Sequence, residues 1–297
     1  MAAPPLPVIV NRSGGTASSL GDELAEQLQD AFAKAGQPIA LDLVDGKDIA
    51  DAVARHAAAP RIAVGGGDGT IASAAQVVAK GSGELAVLPL GTRNHFARQL
   101  GVPLDLEGAA ALAAKGTARP VDLGDANGRT FINNFSAGAY VDLVHEREQS
   151  SLSGVLALAY GSWRALAKLR SRSFALAIDD KRQQIRTPLL FVGNNRYQVA
   201  DGKPGERDAM DDGMLSAYGV APLPRTALLA AALRILVAKP RMHRDFVLDE
   251  LAREVIIEGT GELDIALDGE CMRIPLPLTL TVRPKVLAVV QPAPTSD

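Results

Sequence analysis

The chain is short of several things, and each shortage excludes something. Of its 297 residues only Cys271 is a cysteine, so no disulfide framework can form within the chain and a reducing compartment fits. Aromatic residues make up 4%, too few for the base-stacking platforms of single-strand nucleic-acid binders. Neither sign of charge prevails: 31 basic and 34 acidic side chains leave a formal net charge of -3. Such a balance offers nucleic acid no general attraction. No run reaches the roughly 18–20 apolar residues of a membrane span; the nearest, Leu228–Ala238, is short and carries Arg234. The opening MAAPPLPVIVNRSGG has no basic segment leading into a long apolar one. A signal peptide is therefore not expected, and a cytoplasmic location is. Two nucleotide-binding signatures are missing as well: there is no GxxxxGK[ST], and no GxGxxG follows the first apolar run.

What is present is ordinary globular material, 47% apolar and 22% charged, long enough for two domains with cores of their own. The first half alternates strand-like and helix-like periods. Leu6–Val10 reads as a strand, Asn11–Thr16 as a glycine turn, and Leu20 to Phe32 carries apolar residues at helical spacing. Strand patterns return at Ile39–Val44, Arg61–Val64 and Leu85–Leu88, with helical ones at Ile49–Ala57, Ile71–Ala79, Asn94–Leu100 and Leu106–Lys115. This succession predicts a Rossmann-like α/β domain, a mostly parallel sheet between helices. Near Pro120 the pattern changes to strand-like runs, among them Thr130–Phe135, Phe174–Asp179, Thr187–Val192, Met214–Val220, Phe246–Leu248, Glu254–Glu258, Leu263–Leu267, Arg273–Leu276 and Thr279–Val282. Helices are expected at Leu152–Leu169 and Thr226–Ala238. The expected division is 1–124 for an α/β domain and 125–297 for a largely antiparallel, sandwich-like β domain. The run Val286–Val290 either closes the second sheet or returns to the first domain.

The sharpest local feature is Gly65–Thr70, GGGDGT, between a buried strand and a helix. Consecutive glycines let the backbone approach a ligand without Cβ atoms in the way, and a helix N-terminus offers N–H groups to an anion. Gly66, Gly67 and Gly69 supply the backbone, and Thr70 a hydroxyl for phosphate or for a cap. Asp68 is a poor direct neighbour of a triphosphate and suits a magnesium ion or its water. The plain alternative is a tight turn that serves only the topology. A second strand-to-helix loop, Leu88–Ala97, brings Gly91, Thr92, Asn94 and His95, and the first strand ends in Asn11 and Ser13. Ligands of parallel sheets bind at the carboxyl ends of the strands, so these loops should share one crevice. Small polar residues and glycine suit nucleotide phosphates there. Asn94 can bond phosphate or base, or cap its helix.

In the second half, Asp208–Gly213 is a carboxylate cluster in which Asp212 and backbone oxygens, Met214 included, can hold a cation or merely make a solvated turn. Leu267–Glu270 sets two carboxylates at an Asp-Gly hairpin turn; Glu270 suits a general base, and a purely structural turn is the alternative. Asn133–Gly138 and Phe191–Asn195 end in or begin with amides that can line a site, and Asp122 stands where the chain leaves the first domain. The basic apolar segments Leu152–Arg172 and Thr226–Arg244 suit contact with an anionic membrane or, equally, ordinary packed helices.

Taken in order, GGGDGT at Gly65–Thr70, PLGTRNHFARQLGVP at Pro89–Pro103, FINNFSAGAY at Phe131–Tyr140, FVGNN at Phe191–Asn195, DDGML at Asp211–Leu215 and LDGE at Leu267–Glu270 span nearly the whole chain. Together they resemble the diacylglycerol kinase catalytic-domain family, in its bacterial lipid-kinase branch related to sphingosine kinases. The resemblance implies an N-terminal domain akin to phosphofructokinase and NAD kinase, a C-terminal β-sandwich-like domain and an active site between them. It also implies transfer of the γ-phosphoryl of ATP, with magnesium, to a lipid hydroxyl, foremost that of diacylglycerol. Asn11, Gly67, Thr70 and Thr92 would then belong to the nucleotide site and Asp68 to the magnesium and water network. Asp212 would hold a structural magnesium, and Glu270 would take the proton of the acceptor hydroxyl. The chain departs from the family at Ala72-Ser73, where Asn-Glu is frequent, at His95, where aspartate is common, and in its first loop, NRSGG for NPxSG. Alternatives are a kinase of another lipid alcohol (a sphingoid base, monoacylglycerol or phosphatidylglycerol), an NAD kinase, and a nucleotide-binding regulatory protein without catalysis. The expected partners are a lipid substrate, peripherally contacted membrane and no nucleic acid; a homodimer stays open.

Overall fold

A computed structural model describes residues 4–21, 23–138, 171–198, 205–207, 209–222, 224, 227 and 245–293. The expected helix at Leu152–Leu169 lies outside them, as does all of Thr226–Ala238 but Ala227. The chain forms two compact units: Met1–Leu123 with Pro284–Asp297, and Gly124–Arg283.

The first unit is built on parallel strands β1 (Leu6–Asn11), β2 (Ile39–Val44), β3 (Arg61–Gly66) and β4 (Glu84–Pro89), ordered β2-β1-β3-β4. The end of the last strand, β16 (Leu278–Gln291), lies parallel to β4 through Ala288↔Glu84 and Val289↔Leu85. Val8, Ile9 and Val10 are all fully buried, as a strand covered on both faces must be. The covering helices include α2 (Glu23–Lys34), α3 (Ile49–Arg55), α4 (Asp68–Val78) and α6 (Leu106–Lys115). Because β-helix-β crossovers are right-handed, the step from β1 out to β2 and the steps back through β3 to β4 put their helices on opposite faces. In keeping with this, α2 packs with α6 and α3 with α4. Leu24, Leu28, Ala31 and Phe32 form the buried stripe of α2, with Glu23 and Glu26 in its first turn and Lys34 in its last, each placed to suit the helix dipole.

The helical spacing from Leu20 to Phe32 is not one helix. Gly21, at φ +53, ends a short α1 (Gly15–Leu20) before α2 begins, a left-handed position that glycine occupies without Cβ strain. The order β2-β1-β3 reverses direction between β1 and β3, which makes a topological switch point at their carboxyl ends.

The second unit is an antiparallel sandwich. One sheet runs β12-β11-β10-β7-β14-β15, from β12 (Phe246–Ala252), β11 (Leu215–Val220), β10 (Leu189–Asn194), β7 (Asn134–Gly138), β14 (Glu262–Leu267) and β15 (Glu270–Pro275). The other contains β8 (Arg172–Ile178), β9 (Lys181–Thr187), β13 (Glu254–Glu258) and the start of β16. Alternate residues of both sheets, including Phe135, Val192, Leu215 and Ile265 from the first and Phe174, Leu176, Val255 and Leu280 from the second, form one core. Each such side chain stabilises the fold by about 1.5–3 kcal/mol relative to exposure. β9, KRQQIRT, buries only Ile185 and Thr187 and is an edge strand; its polar composition hid it from the hydrophobic pattern. The expected strand Thr130–Phe135 is two, β6 (Arg129–Phe131) and β7, separated by Ile132 and Asn133. Among the described residues no helix is long and apolar enough to cross a membrane.

Candidate active site

The parallel register Val10↔Gly65 and Gly65↔Leu88 brings the carboxyl ends of β1, β3 and β4 level. Their loops therefore leave one edge of the first unit together, carrying Asn11, Ser13, Gly66, Gly67, Asp68, Gly69, Thr70, Gly91, Thr92 and Asn94.

Asn11 ties the first loop to the second: its Nδ2 donates to Thr70 Oγ1 at 3.0 Å, and its Oδ1 accepts the Ser13 N–H at 3.0 Å. Gly67 begins α4 with no side-chain cap, so first-turn N–H groups remain for an anion. Gly67 and Gly91 touch through their backbones, a Cβ on Gly91 falling 2.2 Å from the Gly67 Cα. Only glycine at position 91 lets the loops meet this closely, and glycine at both positions leaves the backbones bare toward a ligand.

Asp68 is half-buried beside this contact. Its Oδ1 accepts the Phe96 N–H at 2.9 Å and its Oδ2 the His95 N–H at 3.1 Å, which caps the five-residue α5 (His95–Gln99). Asn94, at φ +51, donates through its Nδ2 to Pro89 O and Gly91 O and accepts the Gly91 N–H at its Oδ1. Its amide builds its own loop, and the capping weighed for it belongs to Asp68. Thr92 is exposed on that loop. Ser73 donates to Gly69 O one turn back at 3.0 Å.

Sequence reasoning missed Asp45. It takes Arg12 Nε at 3.0 Å and Ser13 Oγ at 2.9 Å, and so holds the first loop at its rim. Hydrogen bonds from Arg12 and then Ser13, followed by the charge of Arg12, hold its carboxyl below the usual range. The same partner raises Arg12. Nothing in the spacing marks an aspartate from the end of β2 for this task. Asp122, fully buried on β5 (Thr117–Ala126), accepts the Lys285 N–H at 2.7 Å.

In the second unit, Asp212 Oδ1 accepts Asn195 Nδ2 at 2.8 Å and Met214 N at 3.1 Å, and its Oδ2 accepts Arg196 N at 3.3 Å. The Met214 carbonyl accepts the Asn195 N–H at 2.9 Å. Asp212, Met214 and Asn195 are thus brought together as a braced turn; Asp208 lies outside the described residues. Asp268, in the β14–β15 turn, accepts the N–H groups of Ile132, Asn133 and Asn134 at 2.8, 2.7 and 3.0 Å. Arg207 closes the same segment from its carbonyl side, donating to Ile132 O at 2.7 Å and Asn133 Oδ1 at 3.0 Å. Glu270, two residues beyond Asp268, is exposed.

The model of the diacylglycerol kinase catalytic domain matches residues 5–126, and that of the YegS C-terminal NAD kinase beta sandwich-like domain matches residues 136–291. The chain belongs to this lipid kinase family. It is 32% identical over 238 residues to a probable YegS-like lipid kinase of Pseudomonas aeruginosa, covering 78% of this chain and 76% of the relative. A Pseudomonas putida relative of the same description is 35% identical over 239 residues, 78% of this chain and 77% of that one. A Bacillus subtilis diacylglycerol kinase is 29% identical over 217 residues, 70% of each. A solved diacylglycerol kinase structure from Bacillus anthracis superposes with a TM-score of 0.71 at 22% identity, over 99% of this chain and 98% of that one. That likeness speaks to the fold, an α/β unit with a parallel sheet and an antiparallel sandwich. The remaining question for a member of this family is what each braced loop is braced for.

Proposed function

We propose that this chain transfers the γ-phosphoryl of ATP to the hydroxyl of diacylglycerol, giving phosphatidic acid, with magnesium. The observation that carries the reading is the bare backbone contact of Gly67 and Gly91 beside the uncapped start of α4. Phosphate oxygens suit those N–H groups, Thr70 and Asn11 hold the loops around them, and Gly66, Gly69 and Thr92 complete the walls.

Asp68 fits a magnesium ion: magnesium is commonly held by one or two carboxylates together with substrate phosphates, and each Asp68 oxygen accepts one hydrogen bond and keeps a lone pair. Bound there, the ion would neutralise phosphate charge. No three His, Cys, Asp or Glu side chains converge as a cation cage among the described residues. A second ion at Asp212 and Met214 belongs to the proposal on the family pattern alone. Glu270, an exposed carboxylate, serves as acceptor of the proton that the lipid hydroxyl loses as its oxygen bonds to phosphorus. The lipid would be met at a membrane surface, by peripheral contact.

The test is transfer from labelled ATP to a panel of lipids in mixed micelles. Label on diacylglycerol supports the reading; label on another lipid alcohol changes the substrate and keeps the chemistry. No lipid labelled, with ATP bound, sinks it in favour of a nucleotide-binding regulator. Asp68→Asn is expected to abolish nearly all turnover in a folded protein. Glu270→Gln should lower kcat and leave ATP binding intact. Relatives described only as lipid kinases keep another lipid alcohol as the second reading.

A further inference from the structure

The motif Leu267–Glu270 holds two carboxylates, and the structure treats them oppositely. Glu270 opens β15 exposed, and among the described residues its side chain has no hydrogen bond or ion pair. Asp268 is drawn into the protein by its three N–H donors, and its own N–H donates to Asn134 O at 2.9 Å. Asp268 and Gly269 form a two-residue turn, both at positive φ, 49° and 90°, closed by the pair Leu267↔Glu270.

Ile132 and Asn133, which receive this clasp, lie between β6 and β7 and have no ladder of their own. Their N–H groups go to Asp268. The Ile132 carbonyl goes to Arg207 and to Asn194 Nδ2, the latter at 3.1 Å. Two charged side chains, one from each side, thus hold a segment to which the sheet adds one backbone bond, from Asn194 N–H to Asn133 O at 2.8 Å. One of them sits in the turn that carries Glu270.

A base must come within about 2.6–3.2 Å of its proton, and misplacement by roughly 1 Å can cost a hundredfold in rate. A two-residue hairpin tip has little of its own to fix a side chain that finely. We infer that Asp268 is a positioning residue: by clasping Ile132–Asn134 it fixes the turn from which Glu270 takes the proton. The inference rests on Glu270 as the proton acceptor.

The experiment measures kcat and the KM for ATP, in the micelle assay, for Asp268→Asn, Glu270→Gln and the double variant, with melting curves. Asn keeps one accepting oxygen but sets an NH2 against a backbone donor. The expected result is a fall in kcat of roughly ten- to a hundredfold in Asp268→Asn, with the KM for ATP unchanged. The double variant should turn over no more slowly than Glu270→Gln alone, because residues acting as a unit are not additive. Losses that multiply would show Asp268 acting independently of Glu270 and overturn the inference. So would an unchanged kcat in Asp268→Asn, while leaving the role of Glu270 standing. An unchanged kcat in Glu270→Gln overturns both. Should Asp268→Asn not fold, Arg207→Lys, which loosens the same segment from its carbonyl side, is judged by the same criteria.

Discussion

At the scale of single residues, the motif aspartates share a habit that spacing does not reveal. Asp68, Asp212 and Asp268 each accept more than one backbone N–H group: those of His95 and Phe96, of Arg196 and the nearby Met214, and of Ile132 to Asn134. A carboxylate accepts several donors at once and binds each more strongly than a neutral acceptor does. It therefore suits loops that lack a sheet to hold them, whatever else it binds. Asp45 does similar work with side chains, and it can be tested by titration. Its folded pKa is lowered, chiefly by the Arg12 hydrogen bond. The contact should accordingly be whole above the ordinary carboxylate pKa and be lost as pH falls through the lower folded value. Carboxyl NMR should place the Asp45 midpoint below that of exposed aspartates, and Arg12→Ala should move it up. A midpoint that ignores Arg12→Ala would remove the pair from the account of the loop.

At the scale of elements, strands with apolar periods were legible: β1, β3, β4, β13 and β14 fall within a residue or two of their sequence patterns. The misses have different causes: β9 is too polar to show a pattern, Gly21 turns the chain inside an apolar stretch, and Thr130–Phe135 meets competition from outside the segment. Helical spacing across Leu20–Phe32 says nothing of the left-handed turn at Gly21. Apolar residues through Thr130–Phe135 say nothing of Asp268, 136 positions from Ile132, which takes the N–H groups a ladder would need. Two element-scale outcomes follow from the packing. Gly91→Ala should cost about 1–3 kcal/mol, the usual penalty of overpacking, because its Cβ meets the Gly67 backbone and backbone yields less than a side chain. A urea midpoint together with the ATP KM checks it, and an unchanged KM would remove this contact from the nucleotide site. Arg61 donates to Ala113 O and Gly116 O at the end of α6 while its Nε donates to Glu84 at 2.7 Å. Arg61→Ala should destabilise by about 1.5–3 kcal/mol, the range for hydrogen bonds to a charged group, with activity otherwise kept.

At the scale of the whole molecule, the chain leaves its first unit along β5 after Leu123 and returns to it along β16 at Pro284. Asp122 and Lys285 stand one residue inside these two points and are joined by a hydrogen bond. Asp122→Ala should destabilise by about 1–3 kcal/mol, the cost of removing an accepting partner. Asp122→Asn, which keeps an oxygen, should cost less; equal losses in chemical denaturation would mean that the charge and not the bond matters. The sequence by itself determined the succession of strands and helices, the change of pattern near Pro120 and the three glycine-bearing strand ends, because periodicity, glycine and turn residues act over a few neighbours. Only the tertiary structure decided that Asp68 caps α5, that Asp45 and Arg207, which no motif includes, hold motif loops, and that Val286–Val290 continues the same strand as Thr279–Val282. Each of these depends on hydrogen-bond partners tens of residues or more away along the chain, and a buried or unladdered N–H finds its acceptor by position in space.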